Sequence, residues 1–289
     1  MSENLTFRIA DISISIAGEV PESDLNIPPA YSPFEATGKG DIRLRLSQGE
    51  PDIVLQDKIF DCPPIWTLFR HKGITIIILF SRRPDLKRTL ILQPGLEQAE
   101  LYFANGSDCF LDPFHGPVME LLMVNHLAQG RGVIIHGCAI ARQGRGMLFV
   151  GESGAGKSTL ATMWDKEEGV EVLSDDRTVV RKQGDEYWMY GTPWHGEAKH
   201  GSPRAVRLER IFFLRHGAHH SIKQASDIEA VSKFLTCSFP PYWDPQGMEF
   251  SMELFSDVAA QVPCEELTFK PERSVLDFIE ETINKESRP

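Results

Sequence analysis

Long apolar stretches are missing from this 289-residue sequence. The longest, GITIIILF from Gly73 to Phe80, falls far short of the roughly 20 residues a membrane-spanning helix needs. It is β-branched and bounded by turn residues, so it reads as a buried strand. Cysteine is scarce: Cys62, Cys109, Cys138, Cys237 and Cys264 are scattered, odd in number, and form no Cys-x-x-Cys pair. That argues against a disulfide framework or a zinc site and fits reduced thiols in a cytosolic protein. Positive charge is also short, with 30 Lys and Arg against 41 Asp and Glu, for a net charge of -11. Such a balance argues against nucleic acid or an anionic membrane as a partner bound through a broad electrostatic surface. The nearest basic cluster, Arg204, Arg207 and Arg210, has the spacing of a solvated face. No basic-then-apolar leader opens MSENLTFRIADISI, so the expected location is cytoplasmic.

What the sequence does contain is ordinary globular material, 42% hydrophobic and 25% charged. Residues 1–112 read as a β-rich N-terminal domain. FRIADISISI and DIRLRLS alternate, and ITIIILF, RTLILQ and AELYFA follow between Gly, Pro or charged breaks. Short strands at this spacing predict antiparallel meanders. The proline-rich stretch 18–40 predicts irregular chain. After the break at Asp112-Pro113, Val118, Leu121, Leu122, Val124 and Leu127 recur at helical spacing between Pro117 and Gly130. They predict a helix with one broad apolar stripe. Residues 113–289 then read as an α/β (α+β) domain with a mixed sheet. A hairpin turns near Gly144, another near Gln183-Gly184, RLERIFFLRH forms a strand, and three helices alternate with breaks towards the C-terminus.

Chemistry concentrates in 136–200. Gly151, Glu152, Ser153, Gly154, Ala155, Gly156, Lys157, Ser158 and Thr159 complete a phosphate-loop pattern between an apolar strand and a helix. The glycines let consecutive N–H groups turn inward toward an anion, and the following helix adds its positive end. Lys157 then reaches β- and γ-phosphates, and the Ser158 hydroxyl ligates Mg²⁺, so ATP and Mg²⁺ are the expected cofactors. Asp175 and Asp176 end a strand in LSDD, where carboxylates serve a metal or accept a proton. His136 ends the strand of IIHG; the Gly144 hairpin brings it toward the loop. Downstream, Trp194, His195, Glu197, Lys199 and His200 gather in YGTPWHGEAKHGSP. Glu197 is a candidate metal contact and Lys199 a phosphate or substrate contact. His216, His219 and His220 lack neighbouring ligands at metal spacing and read as an exposed turn.

Taken together, HGCAI, GRGMLFVGESGAGKS and VLSDD resemble the catalytic domain of HPr kinase/phosphorylase, whose fold is shared with ATP-dependent phosphoenolpyruvate carboxykinase. The short interval between the loop and the Asp-Asp strand carries the resemblance, which spans about residues 130–215. It implies a phosphate-loop domain of that fold and a kinase that transfers the γ-phosphate to a hydroxyl. Lys157 and Ser158 carry over as phosphate and Mg²⁺ contacts, Asp175 as general base, and Asp176 as metal-associated or base partner. His136 carries over as an active-site residue beside them, and the family's habit of assembling implies a homo-oligomer. Thr159 stands where the bifunctional enzymes have Glu, so the expected acceptor is a protein or peptide hydroxyl rather than HPr itself. A small-molecule kinase and a non-catalytic ATP-binding module remain alternatives.

Overall fold

The computed structural model describes residues 5–18, 25–80, 87–104 and 112–286. They form two compact units, residues 1–126 with 242–244, and residues 127–241 with 245–289.

The first unit is built on a nine-stranded sheet with the order β3-β1-β2-β4-β9-β8-β7-β6-β5. Its strands are β1 (Leu5–Ile9), β2 (Ile12–Gly18), β3 (Glu35–Ala36), β4 (Ile42–Gln48), β5 (Asp57–Cys62), β6 (Trp66–His71), β7 (Ile74–Leu79), β8 (Arg88–Leu92) and β9 (Gln98–Phe103). FRIADISISI is two strands rather than one. Ala10 and Asp11 both take positive φ (51° and 57°) and make a tight turn that sets Ile9 opposite Ile12. That is the geometry a right-twisted two-residue hairpin demands, even without glycine. β5 to β9 form the expected antiparallel meander, but β2–β4 and β4–β9 pair in parallel. Parallel neighbours need a long crossover; the chain from Gly18 to Ile42 supplies one and the β5–β8 meander the other. Within the described part of 18–40, Pro29–Phe34 forms a 3-10 turn rather than irregular chain; residues 19–24 of that stretch lie outside the described residues.

Along β4 the alternation is clean: Ile42, Leu44 and Leu46 are buried while Arg43 and Arg45 face out. Phe7, Tyr31 and Phe114 stack edge to face with centroids 4.7–5.4 Å apart. Helix α1 (Val118–Leu127) is not the one-sided helix its spacing predicted. Met119, Met123, Asn125 and His126 are buried along with the apolar stripe, as in a helix enclosed on all sides. Gly130 ends it at φ 80°, where Arg131 N–H bonds Leu127 C=O at 2.8 Å. Trp243 lies against Phe60 and Trp66 at 5.6 and 5.1 Å, and its indole N–H donates to Asn125 Oδ1 at 3.0 Å.

The second unit contains β10 (Val133–Arg142), β11 (Arg145–Val150), α2 (Lys157–Trp164), β12 (Val170–Ser174), β13 (Arg177–Gln183), β14 (Glu186–Tyr190), β15 (Ala205–His216), β16 (Ser221–Gln224), α3 (Asp227–Thr236), α4 (Pro245–Gln261), β17 (Cys264–Phe269) and α5 (Ser274–Glu286). β10 changes partners midway. Val133–His136 pairs with β13, whereas Gly137–Arg142 lies between β11 and β12. β15 changes too, pairing with β14 at its start and then, in parallel, with β11 and β17. The result is a mixed α/β architecture in which two long strands, β10 and β15, each change partners along their length within an eight-stranded sheet.

The period of two along these strands divides the core. Leu148, Val150, Ile211 and Phe213 face a cluster completed by Phe234, Leu254, Phe255 and Val258 of α3 and α4. Met147, Phe149, Phe212 and Leu214 face the opposite cluster, with Leu160 and Trp164 of α2 and Val275, Leu276 and Ile279 of α5. This two-sided burial explains the short continuous apolar runs Met147–Val150 in β11 and Ile211–Leu214 in β15. Among the described residues no helix is long and apolar enough to cross a membrane. Cys62, Cys138, Cys237 and Cys264 are free thiols; Cys109 lies outside the described residues.

Candidate functional site

The Gly151–Gly156 loop leaves β11 and enters α2. Gly154 and Gly156 take φ of 81° and 98°, the left-handed region that side chains avoid. At Gly156 space also runs out, because a Cβ there would stand 2.7 Å from the Phe269 ring. The loop is seated on the ends of two strands. His216, the last residue of β15, has Nε2 2.8 Å from Gly154 C=O, and its ring lies 5.8 Å from that of Phe269. His216 thus belongs to the loop's support, a role the reading of HGAHH as an exposed turn missed.

Lys157 is 6% exposed. Its ammonium curls back to donate to Gly151 C=O at 2.8 Å and Glu152 C=O at 2.9 Å. Burial lowers its pKa, and the charge of Asp176 opposes that shift. Ser158 is half-buried in the first turn of α2, while Glu152, Ser153 and Thr159 are exposed. The first N–H groups of a helix have no partner within it, so this end of α2 faces the loop with donors and a partial positive charge.

His136 and Asp176 meet because β10 and β13 set His136 opposite Arg177. His136 Nε2 lies 2.9 Å from Asp176 Oδ1, and Arg177 donates to Oδ2 at 2.7 Å. Arg177 is fixed in turn over the Phe239 ring at 4.1 Å. Gly137 N–H donates to the Asp176 carbonyl at 3.0 Å, and His136 N–H to Cys237 C=O at 2.8 Å. Burial pushes the Asp176 pKa up, but the His136 hydrogen bond and the charges of Arg177, His136 and Lys157 outweigh it, leaving it lowered. Asp176 is therefore ionised at neutral pH, with its side chain 24% exposed.

Asp175 is in a different position. It is 1% exposed, and its carboxylate accepts from the backbone N–H groups of Gly196 (2.9 Å), Ala198 (2.8 Å) and His200 (3.2 Å). The resemblance cast Asp175 as general base; in this structure its carboxylate is buried and engaged by these three bonds. The two neighbours of LSDD are thus separated by environment. Asp176 joins His136 and Arg177, and Asp175 turns to the loop of residues 191–204.

That loop keeps His195, Glu197 and Lys199 exposed, while Trp194 and His200 are partly covered. His200 Nδ1 is 3.9 Å from Asp165 Oδ1. Among the described residues no three His, Cys, Asp or Glu side chains converge on one metal position. Arg204, Arg207 and Arg210 are each paired with a glutamate, Glu171, Glu186 and Glu265 respectively, so they form no free basic patch. His220 sits apart from the loop, 2.9 Å from Ser274 Oγ.

A mixed α/β protein with this site matches one family model, described as SynChlorMet cassette protein ScmC, over residues 117–258. No curated protein matches. Among solved structures, the Hpr(Ser) kinase/phosphatase from Coxiella burnetii is similar to this chain at 12% identity and a TM-score of 0.30. That match covers 53% of this chain and 89% of the other.

Proposed function

We propose that the protein is an ATP-dependent phosphotransferase that passes the γ-phosphate to a hydroxyl of a protein or peptide. The observation carrying this reading is the ionised Asp176 held by His136 and Arg177, whose charge bears on Lys157 at the head of α2. A module that only bound nucleotide would need the loop and a metal carboxylate, but not the histidine and arginine that orient that carboxylate.

The residues suit both cofactors. The open, left-handed Gly154 and the N-terminus of α2 fit phosphate oxygens. Lys157, held now by two loop carbonyls, is placed to exchange them for phosphate. The Ser158 hydroxyl fits Mg²⁺, which takes one or two protein ligands and completes its shell from phosphates and water. Mg²⁺ would supply charge neutralisation on the phosphates. Glu197, on the exposed loop, is proposed as a further contact to the metal's shell.

In the transfer step the acceptor hydroxyl oxygen bonds the γ-phosphorus, the bond to the β–γ bridging oxygen breaks, and ADP leaves. The hydroxyl proton passes to Asp176, whose carboxylate has acceptor positions beyond the two held by His136 and Arg177. His136 orients that carboxylate and holds it ionised, as a second carboxylate partner would not. Lys157 and the loop N–H groups stabilise charge on the phosphates.

Incubation with γ-labelled ATP, Mg²⁺ and separate pools of protein, peptide and metabolite acceptors tests the reading. Label on a polypeptide hydroxyl is expected. Label on metabolites alone would make the protein a small-molecule kinase, and ATP occupancy without turnover would make it a binding module. Asp176→Asn is expected to lower transfer by about 100-fold or more while leaving nucleotide affinity within a few fold, the pattern for loss of a positioned base. Equal loss of binding and transfer would instead place Asp176 chiefly on the metal.

A further inference from the structure

The bonds around Asp175 alternate along the chain. The N–H groups of residues 196, 198 and 200 converge on its carboxylate, and the intervening His195, Glu197 and Lys199 are exposed. Three N–H donors converging on one carboxylate make a strong, directional set. Gly196 is part of the fit, because a Cβ there would stand 2.9 Å from Asp175 Oδ2 and 3.3 Å from Asp176 Cβ.

The ends of the loop are strapped independently. Thr192 Oγ1 donates to Arg177 C=O at 2.6 Å, and Ser202 N–H donates to Leu173 C=O at 2.9 Å. Gly191 lies so close to the carbonyls of Leu173 and Ser202 that no side chain fits there. Between these straps, the bond at Lys199 N–H to Gly196 C=O is internal to the loop. Asp175 ties this middle section through three backbone bonds to the bend between β12 and β13 that bears Asp176, and Ala198 packs beside it against the core.

We propose that Asp175 is a positioning residue that takes no proton. It seats residues 194–200 as a platform on which His195, Glu197 and Lys199 meet the acceptor, within one residue of the base. That the platform serves an acceptor rests on the phosphotransfer reading; the seating itself does not. Asp175→Asn keeps the shape but removes the charge and turns an N–H₂ group toward backbone N–H donors. The loop then lifts, the acceptor KM rises, and nucleotide binding is untouched.

Limited trypsin digestion of the whole chain reads the loop without any substrate, through cleavage after the exposed Lys199. Cleavage there tracks the open population of the loop, so Asp175→Asn is expected to accelerate it about tenfold or more. Asp176→Asn should cleave at the wild-type rate, and both variants should bind a fluorescent ATP analogue within a few fold of wild type. Gly196→Ala pushes on the same seat without altering either carboxylate, so it is expected to raise cleavage as well, should Asp175→Asn fail to fold. Wild-type cleavage in both loop variants overturns the seating. If γ-labelled ATP is turned over by none of the proteins, the phosphotransfer reading fails while the cleavage contrast still decides the role of Asp175.

Discussion

His216 shows how much a single side chain hides from the local sequence. In HGAHH it sits among polar, turn-prone neighbours, yet its imidazole reaches back 62 residues to hold the Gly154 carbonyl. Because that carbonyl belongs to the turn that aims the loop's N–H groups, losing the bond should loosen the loop before it touches the core. His216→Ala is expected to weaken nucleotide binding about three- to tenfold, the worth of one hydrogen bond of roughly 1 kcal/mol. Titration with a fluorescent ATP analogue measures it, and His216→Gln, which keeps a donor, should recover most of the loss. An unchanged affinity in the alanine variant would show that the loop holds its shape alone. The two aspartates teach a related lesson. Sequence placed Asp175 and Asp176 together at a strand end, but one is 1% exposed and the other retains an open face. Nothing in their own residue types distinguishes them, because the distinction is made by a loop that returns some twenty residues later.

At the scale of elements, most of the second unit was legible. The hairpins at Gly144 and Gly184, the strand before the loop, and the three later helices all carry turn residues or apolar spacing that local physics reads directly. β5 and β6 were not legible. β5 is largely exposed and so lacks an alternating pattern, and Pro63-Pro64 between the two strands reads as a break. The parallel pairing of β4 was also invisible, since a strand's own pattern does not name its partner. Glycine chemistry in the loop separates two costs that sequence treats alike. Gly154 has open space where a Cβ would go, whereas Gly156 faces the Phe269 ring. Gly154→Ala should therefore cost about 1 kcal/mol of stability from the left-handed backbone alone. Gly156→Ala should cost more, about 2–3 kcal/mol, from backbone strain and the displaced ring. Urea denaturation of the two variants compares them, and equal losses would remove the steric contribution of Phe269.

At the scale of the molecule, a short segment late in the chain belongs to the first unit. Trp243 completes the aromatic group of Phe60 and Trp66, and its indole N–H satisfies the buried Asn125 side chain. Trp243→Ala should remove about 3–5 kcal/mol, the usual cost of deleting a large buried aromatic. Hydrogen exchange should place the loss in β5–β7 rather than in β11 or β15. Uniform loss across both units would show that they unfold as one.

The same segment sets an order on biosynthesis. A nascent chain emerges from its N-terminus at about 5–20 residues per second, so the nine strands of the first unit are all available long before Trp243 leaves the ribosome. Asn125 and Trp243 are 118 positions apart, and until the second arrives the first unit has an open apolar seat. The early-made unit must wait, incomplete, for a late-made residue. A chain stalled before residue 243 should therefore be more sensitive to protease in its first hundred residues than one released in full.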